Sequence, residues 1–202
     1  MNFKKPNLVE YKNGVFEVIK VVNGYKLVIE SKRQMTYIHE NYSQFYELYS
    51  HTHFAHGHVI ASGLGFLLRE IMLLENPNVS RIQVLEKSSE LIEYHNTYNR
   101  DIMEKLEIVN CDANEFVGSC DTFLMDHLEF SNFVETFIKC LQNIKCTTSW
   151  FWPIELCCPN YEKYSQLCLS VATLPKLQRL EYEMLLEIFK RRKGGTWEKE
   201  YE

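Results

Sequence analysis

Short apolar runs alternate with amphipathic helical patterns between His58 and Trp152, and few folds accommodate this alternation. Strands that are separated by helices in this way imply a parallel sheet with right-handed crossover connections. We therefore predict an α/β fold with a mostly parallel sheet and flanking helices. The predicted strands cover residues 59–61, 81–85, 106–110, 122–125 and 148–152, and the predicted helices cover 67–74, 88–98 and 131–144.

The segment before this region has a different pattern. Residues 16–22 are β-branched and apolar, Asn23-Gly24 is a turn signal, and residues 25–30 alternate between polar and apolar. This pattern predicts a β-hairpin, and we assign residues 1–40 to a small N-terminal β-hairpin region. Residues 41–202 form the second predicted unit, with a helix over 41–51 and a helical C-terminal segment from about residue 154.

Composition and charge limit the classes of function. The 202 residues are 46% hydrophobic and 24% charged, which is typical of a soluble globular chain. The net charge of −5 disfavours a nucleic-acid partner, because phosphate repels an acidic protein. The N-terminus has no signal-peptide pattern and no apolar run is long enough to cross a membrane. We expect a cytoplasmic protein that acts on a small molecule, and a homo-oligomer is compatible with the sequence.

A glycine-containing loop joins the first predicted strand of the parallel sheet to the helix that follows. The loop comprises Ala61-Ser62-Gly63-Leu64-Gly65-Phe66. Glycines allow the backbone to approach a ligand closely, and the N-terminus of the next helix offers free N–H groups. Tight strand-to-helix turns also contain glycine for steric reasons alone, so the loop needs support from other positions.

Acidic residues follow the next three strands. Glu86 ends the second strand about twenty residues past the loop, where a carboxylate can accept hydrogen bonds from a ribose diol. Asp112 follows the third strand, and Asp126 and Glu129 follow the fourth. An exposed glutamate and a turn-forming aspartate are the alternative interpretations of Glu86 and Asp112. Together the positions favour an adenosine-containing ligand at the carboxyl ends of the strands.

Several motifs resemble the class I S-adenosylmethionine-dependent methyltransferase superfamily, and within it spermidine synthase-like aminopropyltransferases. The resemblance extends from about Phe16 to Trp152 and implies a Rossmann-like methyltransferase fold. Residues 60–70 are similar to the Gly-rich loop of the family followed by Leu-Arg-Glu, and 84–92 to its second strand with the ribose-binding acid. Asp112 matches the family's adenine-contacting aspartate. Residues 45–51 are similar to its Tyr-His-Glu-Met-Leu stretch.

The resemblance implies S-adenosylmethionine, or its decarboxylated form, as the bound cofactor. The implied catalytic residues are Asp126 and Glu129, which match the two acids of the family's Asp-x-x-Asp segment, and His127 beside them. The implied cofactor-binding residues are Ala61, Ser62, Gly63, Gly65, Glu86, Lys87, Asp112, Ala113 and Asp126.

Three functions agree with these residues. The first is methyl transfer to a small amine-type acceptor, which is favoured because Val59 and Ala61 provide no acid to exclude the carboxylate of the donor. The second is aminopropyl transfer from the decarboxylated donor. The third is a non-catalytic or sulfonium-cleaving relative that serves as a cofactor-binding or interaction module, because Ala61 replaces the first glycine of the motif. We expect no metal site, although four histidines lie between His51 and His58.

Overall fold

The computed structural model describes residues 5–22, 24–29, 33–38, 52–126 and 133–151. Four sequence predictions lie outside these ranges: the helix over 41–51, the catalytic roles of His127 and Glu129, and the C-terminal helical segment. Within the described part of the chain, no helix is long and apolar enough to cross a membrane.

The N-terminal region forms a four-stranded antiparallel sheet in the order β1-β2-β3-β4. The predicted hairpin is confirmed, because β2 and β3 pair from Phe16 opposite Ile29 to Val21 opposite Gly24. Two further strands extend this hairpin on either side. The strands are β1 (Tyr11–Lys12), β2 (Phe16–Val21), β3 (Gly24–Ile29) and β4 (Arg33–Ile38).

The second unit alternates strands and helices along the chain, as its sequence pattern predicts. Its strands are β5 (Gly57–Ser62), β6 (Val79–Glu86), β7 (Glu107–Asn110), β8 (Gly118–Ser119), β9 (Thr122–Met125), β10 (Ile144–Lys145) and β11 (Thr148–Phe151). Its helices are α1 (Leu68–Glu75), α2 (Ser89–Tyr98), α3 (Arg100–Met103) and α4 (Phe133–Asn143).

Five of these strands form a parallel sheet in the order β11-β9-β5-β6-β7. The chain therefore builds outward from β5 to β6 and β7, and then returns to the other side of β5 with β9 and β11. Open α/β sheets bind ligands at the carboxyl ends of the strands where the order reverses, which here lies between β5 and β9. The predicted fold class, a Rossmann-like methyltransferase fold with flanking helices, is confirmed.

The central strands are buried because both faces of a parallel sheet are covered. Val59, Ile60 and Ala61 of β5 are fully buried, and Phe123 and Met125 of β9 are as well. These apolar runs are the ones from which the sequence predicts strands, and they place the ends of β5 and β9 on a rigid scaffold.

The N-terminal sheet is attached to α2 through a cluster of aromatic rings. Tyr11, Phe16 and Tyr94 lie with ring centroids 5.2 to 5.7 Å apart. The Tyr94 hydroxyl also accepts from the Val9 N–H and donates to the Val9 carbonyl, both at 2.9 Å. These contacts link the first strands of the chain to the helix that follows Glu86.

Candidate active site

The loop from β5 to α1 alternates in backbone handedness. Gly63, Gly65 and Leu67 have positive φ angles of 80°, 48° and 65°, whereas Leu64 and Phe66 between them do not. Backbones of alternating handedness form concave arrays of N–H groups that bind anionic or polar groups. A leucine in the left-handed region costs roughly 1–2 kcal/mol, so surrounding contacts have to hold the loop in this form.

Those contacts engage four consecutive carbonyls of the loop. The Ser62 carbonyl accepts from Arg69 Nη1 at 3.1 Å, and the Gly63 carbonyl accepts from Arg69 Nη2. The Leu64 carbonyl accepts from the Leu67 N–H at 3.1 Å. The Gly65 carbonyl is bonded to the ring of a buried histidine, His95, at 2.8 Å. The loop is therefore held from its carbonyl side, while Gly63 and Gly65 stay half-buried and accessible.

Arg69 occupies a buried position beneath the loop. Its side chain is paired with the buried carboxylate of Glu70, and the Nε to Oε1 distance is 3.0 Å. Burial raises the pKa of Glu70 in spite of the adjacent guanidinium, which acts in the opposite direction. An arginine provides five donors in a planar fork, which is why one side chain can serve Glu70, Ser62 and Gly63 together.

His95 connects the loop to the N-terminal segment. The Asn99 amide donates to the Asn7 carbonyl at 3.0 Å and lies 3.1 Å from His95 Nδ1, while its oxygen accepts from the Asn7 N–H. Nδ1 is thus an acceptor, so Nε2 carries the proton that is donated to Gly65. Burial lowers the pKa of His95 to about 4, against the opposing effect of its hydrogen bond to Gly65. The neutral ring supports the loop.

Glu86 ends β6 directly beside the loop. One of its carboxylate oxygens accepts from the Leu64 N–H at 2.8 Å, and the other accepts from the Ser88 N–H at 2.7 Å. The side chain is 9% exposed, so the alternative of a merely exposed glutamate at a strand end is wrong. The carboxylate thereby holds both the glycine loop and the N-terminus of α2.

Lys87 and Asp112 form an ion pair over the ends of β6 and β7, with Nζ and Oδ2 3.0 Å apart. The second oxygen of Asp112 accepts from the Asn114 N–H at 2.9 Å. Partial burial opposes ionisation of Asp112, but these hydrogen bonds and the Lys87 charge lower the pKa of this carboxyl. Asp112 therefore has the turn-forming role considered above. It also lies at the carboxyl edge of the sheet, as the sequence predicts. Ala113 next to it is buried.

Asp126 follows β9 and is joined to the loop after β5. Its N–H lies 3.2 Å from the Ser62 carbonyl and 3.3 Å from the Ser62 hydroxyl. Its carboxylate lies 4.0 Å from Arg69 Nη1 and its side chain is 27% exposed. Asp126 thus stands where the strand order reverses, with its carboxylate reachable from solvent.

The structure brings most of the predicted cofactor-binding residues together along one edge of the sheet. Hydrogen bonds connect Ser62 with Asp126 and Leu64 with Glu86. The backbone N–H of Cys111, adjacent to Asp112, donates to the Glu86 carbonyl at 3.1 Å. Ala61 is an exception, since it lies inside β5 and is fully buried. Its contribution is to the packing of the strand that carries the loop.

The histidines just before and at the start of β5 lie at the opposite edge of the sheet. The His56 N–H donates to the Thr122 hydroxyl, and the His58 N–H donates to the Asp121 carboxylate at the start of β9. Across the residues that the structure describes, no group of three or more potential metal ligands converges. His53, His56 and His58 are therefore remote from the candidate site.

Sequence reasoning assigned no role to Arg69, His95 or Asn99. Arg69 belongs to the motif that resembles the family loop, and its position a few residues into the next helix was the available signal. His95 shares the buried face of α2 with Leu91 and Tyr94, at helical spacing. A histidine on an apolar face is a weak sequence signal by itself. Its partner here is a backbone carbonyl in another element, which the sequence pattern does not reveal.

Comparison with known proteins relates the chain to others through its fold. No family model and no curated protein matches it. Spermidine synthase from Thermotoga maritima has a TM-score of 0.50 at 16% identity, over 74% of this chain and 56% of that one. A spermidine synthase in complex with the transition state analogue AdoDATO has a TM-score of 0.50 at 15% identity, over 74% and 58%. This chain thus spans a little over half the length of those enzymes.

These similarities establish the class of fold. The chain has the Rossmann-like fold of class I S-adenosylmethionine-dependent methyltransferases, which spermidine synthase shares. At such low identity the comparison concerns the fold alone, and the residues at the carboxyl edge of the sheet have to support any activity.

Proposed function

We propose that the chain is an S-adenosylmethionine-dependent transferase that moves a methyl group to a small amine-type acceptor. The observation that carries the proposal is the loop from β5 to α1, held through four carbonyls and flanked by Glu86 and Asp126. A site that is organised before the ligand binds loses less conformational entropy on binding.

The described residues fit a nucleoside at this edge. Each Glu86 oxygen accepts one N–H and keeps a further lone pair, so the carboxylate can still accept from a ribose diol. Lys87 follows Glu86 at the end of β6, and its ion-pair partner Asp112 lies one strand further out, after β7, on the side where the adenine would extend. The half-buried glycines of the loop allow the methionine part to approach the backbone.

The bound cofactor supplies a carbon activated by a positively charged sulfur, so displacement by an amine needs alignment and the removal of one proton. Asp126 would accept that proton, since its carboxylate is accessible and faces Arg69, while its backbone N–H is held by Ser62. His127 and Glu129, which follow it in sequence, would hold the other end of the acceptor.

Methyl transfer is favoured by the absence of acid among the loop residues 61–66. Leu64 and Phe66, the large side chains of the loop, are buried in the core. The Glu86 carboxylate beside the loop is already held by two backbone N–H groups, those of Leu64 and Ser88. A donor that retains its own carboxylate would therefore meet no acidic side chain belonging to the loop itself.

Aminopropyl transfer is the second candidate, because the fold matches two spermidine synthases at a TM-score of 0.50. Incubation with small amines and either donor separates the candidates. Methyl transfer yields a methylated amine and S-adenosylhomocysteine, whereas aminopropyl transfer yields an extended amine and methylthioadenosine. Mass spectrometry of the products with S-adenosylmethionine should show the first pair. Release of nucleoside without amine modification would indicate sulfonium cleavage and refute the proposal.

A further inference from the structure

Two cysteines, Cys120 and Cys146, lie side by side at the amino edge of the sheet. Strands β8 and β10 end with Ser119 paired to Lys145. Strands β9 and β11 begin three residues later in the same register, with Thr122 paired to Thr148. The cysteines lie between these paired positions, and are therefore lateral neighbours on parallel segments.

The separation of the two segments suits a disulfide. The Cys120 N–H donates to the Lys145 carbonyl at 2.9 Å, as in a regular ladder. Neighbouring strands lie about 4.8 Å apart, and disulfides join Cα atoms roughly 4.4–6.8 Å apart. Both thiols are reduced, and they are hydrogen-bonded to each other.

The pKa values of the two thiols are shifted in opposite directions. The Cys120 thiol donates to the Cys146 sulfur, and this lowers the pKa of Cys146 in spite of burial. The same contact, with burial, raises the pKa of Cys120. Burial raises the pKa of Cys111, and raises that of Cys140 to about 12. Among the cysteines that the structure describes, Cys146 is thus the one whose thiol ionises most readily.

The position of the pair is close to solvent. Cys120 is half-buried, and its neighbours in sequence, Ser119 and Asp121, are exposed. Lys145 and Thr147, on either side of Cys146, are exposed as well. Cys146 itself is 7% exposed, so a small oxidant reaches the pair on the side of the half-buried Cys120, whereas Cys140 is fully buried.

We propose that Cys120 and Cys146 form a reversible disulfide with a hydroperoxide as oxidant. The Cys146 thiolate attacks the peroxide, the O–O bond breaks, and hydroxide leaves and takes up a proton. The Cys120 sulfur then displaces water from the resulting sulfenic acid, with loss of its own proton. Two thiols lose two electrons in total, and hydrogen peroxide is reduced to two molecules of water.

The disulfide would tie the start of β9 to the start of β11. In the described part of the chain β11 pairs only with β9, so it is an edge strand that a cross-link would hold. The cross-link lies at the edge opposite to Glu86 and Asp126. It should therefore raise stability without altering the nucleoside site, and the inference is independent of the proposed function.

The test is oxidation of the reduced full-length chain with hydrogen peroxide, followed by peptide mapping and thermal unfolding. We expect a cross-linked peptide pair containing Cys120 and Cys146. We also expect a rise in Tm of roughly 5–10 °C that dithiothreitol reverses. Cys120→Ser and Cys146→Ser should each abolish both effects, while Cys111→Ser should retain them.

Three results would overturn the inference. One is a principal cross-link between other cysteines, such as Cys157 or Cys158. Another is oxidation of Cys146 to sulfinic acid without any cross-link. The third is a rise in Tm that persists in Cys120→Ser. Since serine closely matches cysteine in size, both variants should fold, and circular dichroism of the reduced proteins verifies this.

Discussion

The guanidinium of Arg69 lies 4.0 Å from the carboxylate of Asp126 and also binds the carbonyl of Ser62. One buried side chain therefore links the end of β5 to the end of β9, the two strands between which the sheet order reverses. This arrangement fixes the position of the loop relative to Asp126, the proposed proton acceptor.

Replacing Arg69 by methionine should destabilise the protein by about 3–5 kcal/mol, because the buried Glu70 and two loop carbonyls lose their partner. Urea unfolding of the wild type and the variant measures this difference. Binding of S-adenosylmethionine should also be lost. Arg69→Lys should recover part of the stability but not the loop geometry, since lysine has no planar fork.

Arg81→Met is the matched control. Arg81 pairs with Glu107 at the surface, where both side chains are about half exposed. An exposed pair contributes about 0–1 kcal/mol, so this variant should unfold almost as the wild type does. Equal destabilisation by the two substitutions would mean that Arg69 has no special structural role.

The free energy of unfolding should fall at acidic pH because His95 becomes protonated when the chain unfolds. Its pKa is about 4 in the folded chain and about 6.5 when unfolded, so the unfolded state binds more protons between these values. The neutral ring makes its full contribution to the free energy of unfolding above pH 6.5. This contribution is lost as the pH falls toward 4, and the loss is about 2 kcal/mol at pH 5. Urea unfolding at pH 7.5 and 5.0 measures it.

His95→Gln provides the comparison, because glutamine can still donate to the Gly65 carbonyl but does not titrate. The loss of stability between pH 7.5 and 5.0 should be smaller in this variant by about the same 2 kcal/mol. An identical pH dependence in both proteins would contradict the assignment of His95.

Glu86→Gln should weaken nucleoside binding at least tenfold. The amide offers one acceptor oxygen in place of two, so either the Leu64 or the Ser88 N–H loses its partner, and the ribose loses a charged acceptor. Fluorescence competition with methylthioadenosine measures the affinity. Glu107→Gln, on the neighbouring strand but away from the site, should bind normally. If Glu86→Gln binds as the wild type does, the ribose role is wrong.

Asp126→Asn should leave donor binding nearly unchanged and lower kcat by about 10²–10⁴-fold, since the amide cannot accept the proton of the amine. Steady-state kinetics with a reactive amine separates kcat from the affinity for the donor. A loss of donor affinity with unchanged kcat would instead make Asp126 a binding residue.

The sequence predicted the part of the fold that depends on local pattern. The apolar runs of β5, β6 and β9 have no alternative to burial, and the predicted hairpin and helix bounds differ from the structure by only a few residues. Glu86 and Asp126 could be placed because the ends of parallel strands meet at one edge of a sheet.

The support of the loop could not be predicted in the same way. Arginine is rarely buried, so the place of Arg69 in the motif did not by itself indicate that its side chain lies beneath the loop and faces Asp126. His95 acts through Asn99 on Asn7, and such contacts between distant segments depend on how the N-terminal sheet packs on α2. Both cases are tertiary arrangements of polar groups, for which sequence periodicity carries no signal.

Calorimetric titration of the chain with S-adenosylmethionine tests the central claim most directly. The account predicts one binding site per chain, an affinity that falls in Glu86→Gln and a similar affinity in Asp126→Asn. Titrations with the decarboxylated donor and with methylthioadenosine complete the comparison, and S-adenosylmethionine should bind more tightly than the decarboxylated form. Absence of binding by all three ligands would contradict the assignment of the loop between β5 and α1 as a nucleoside site.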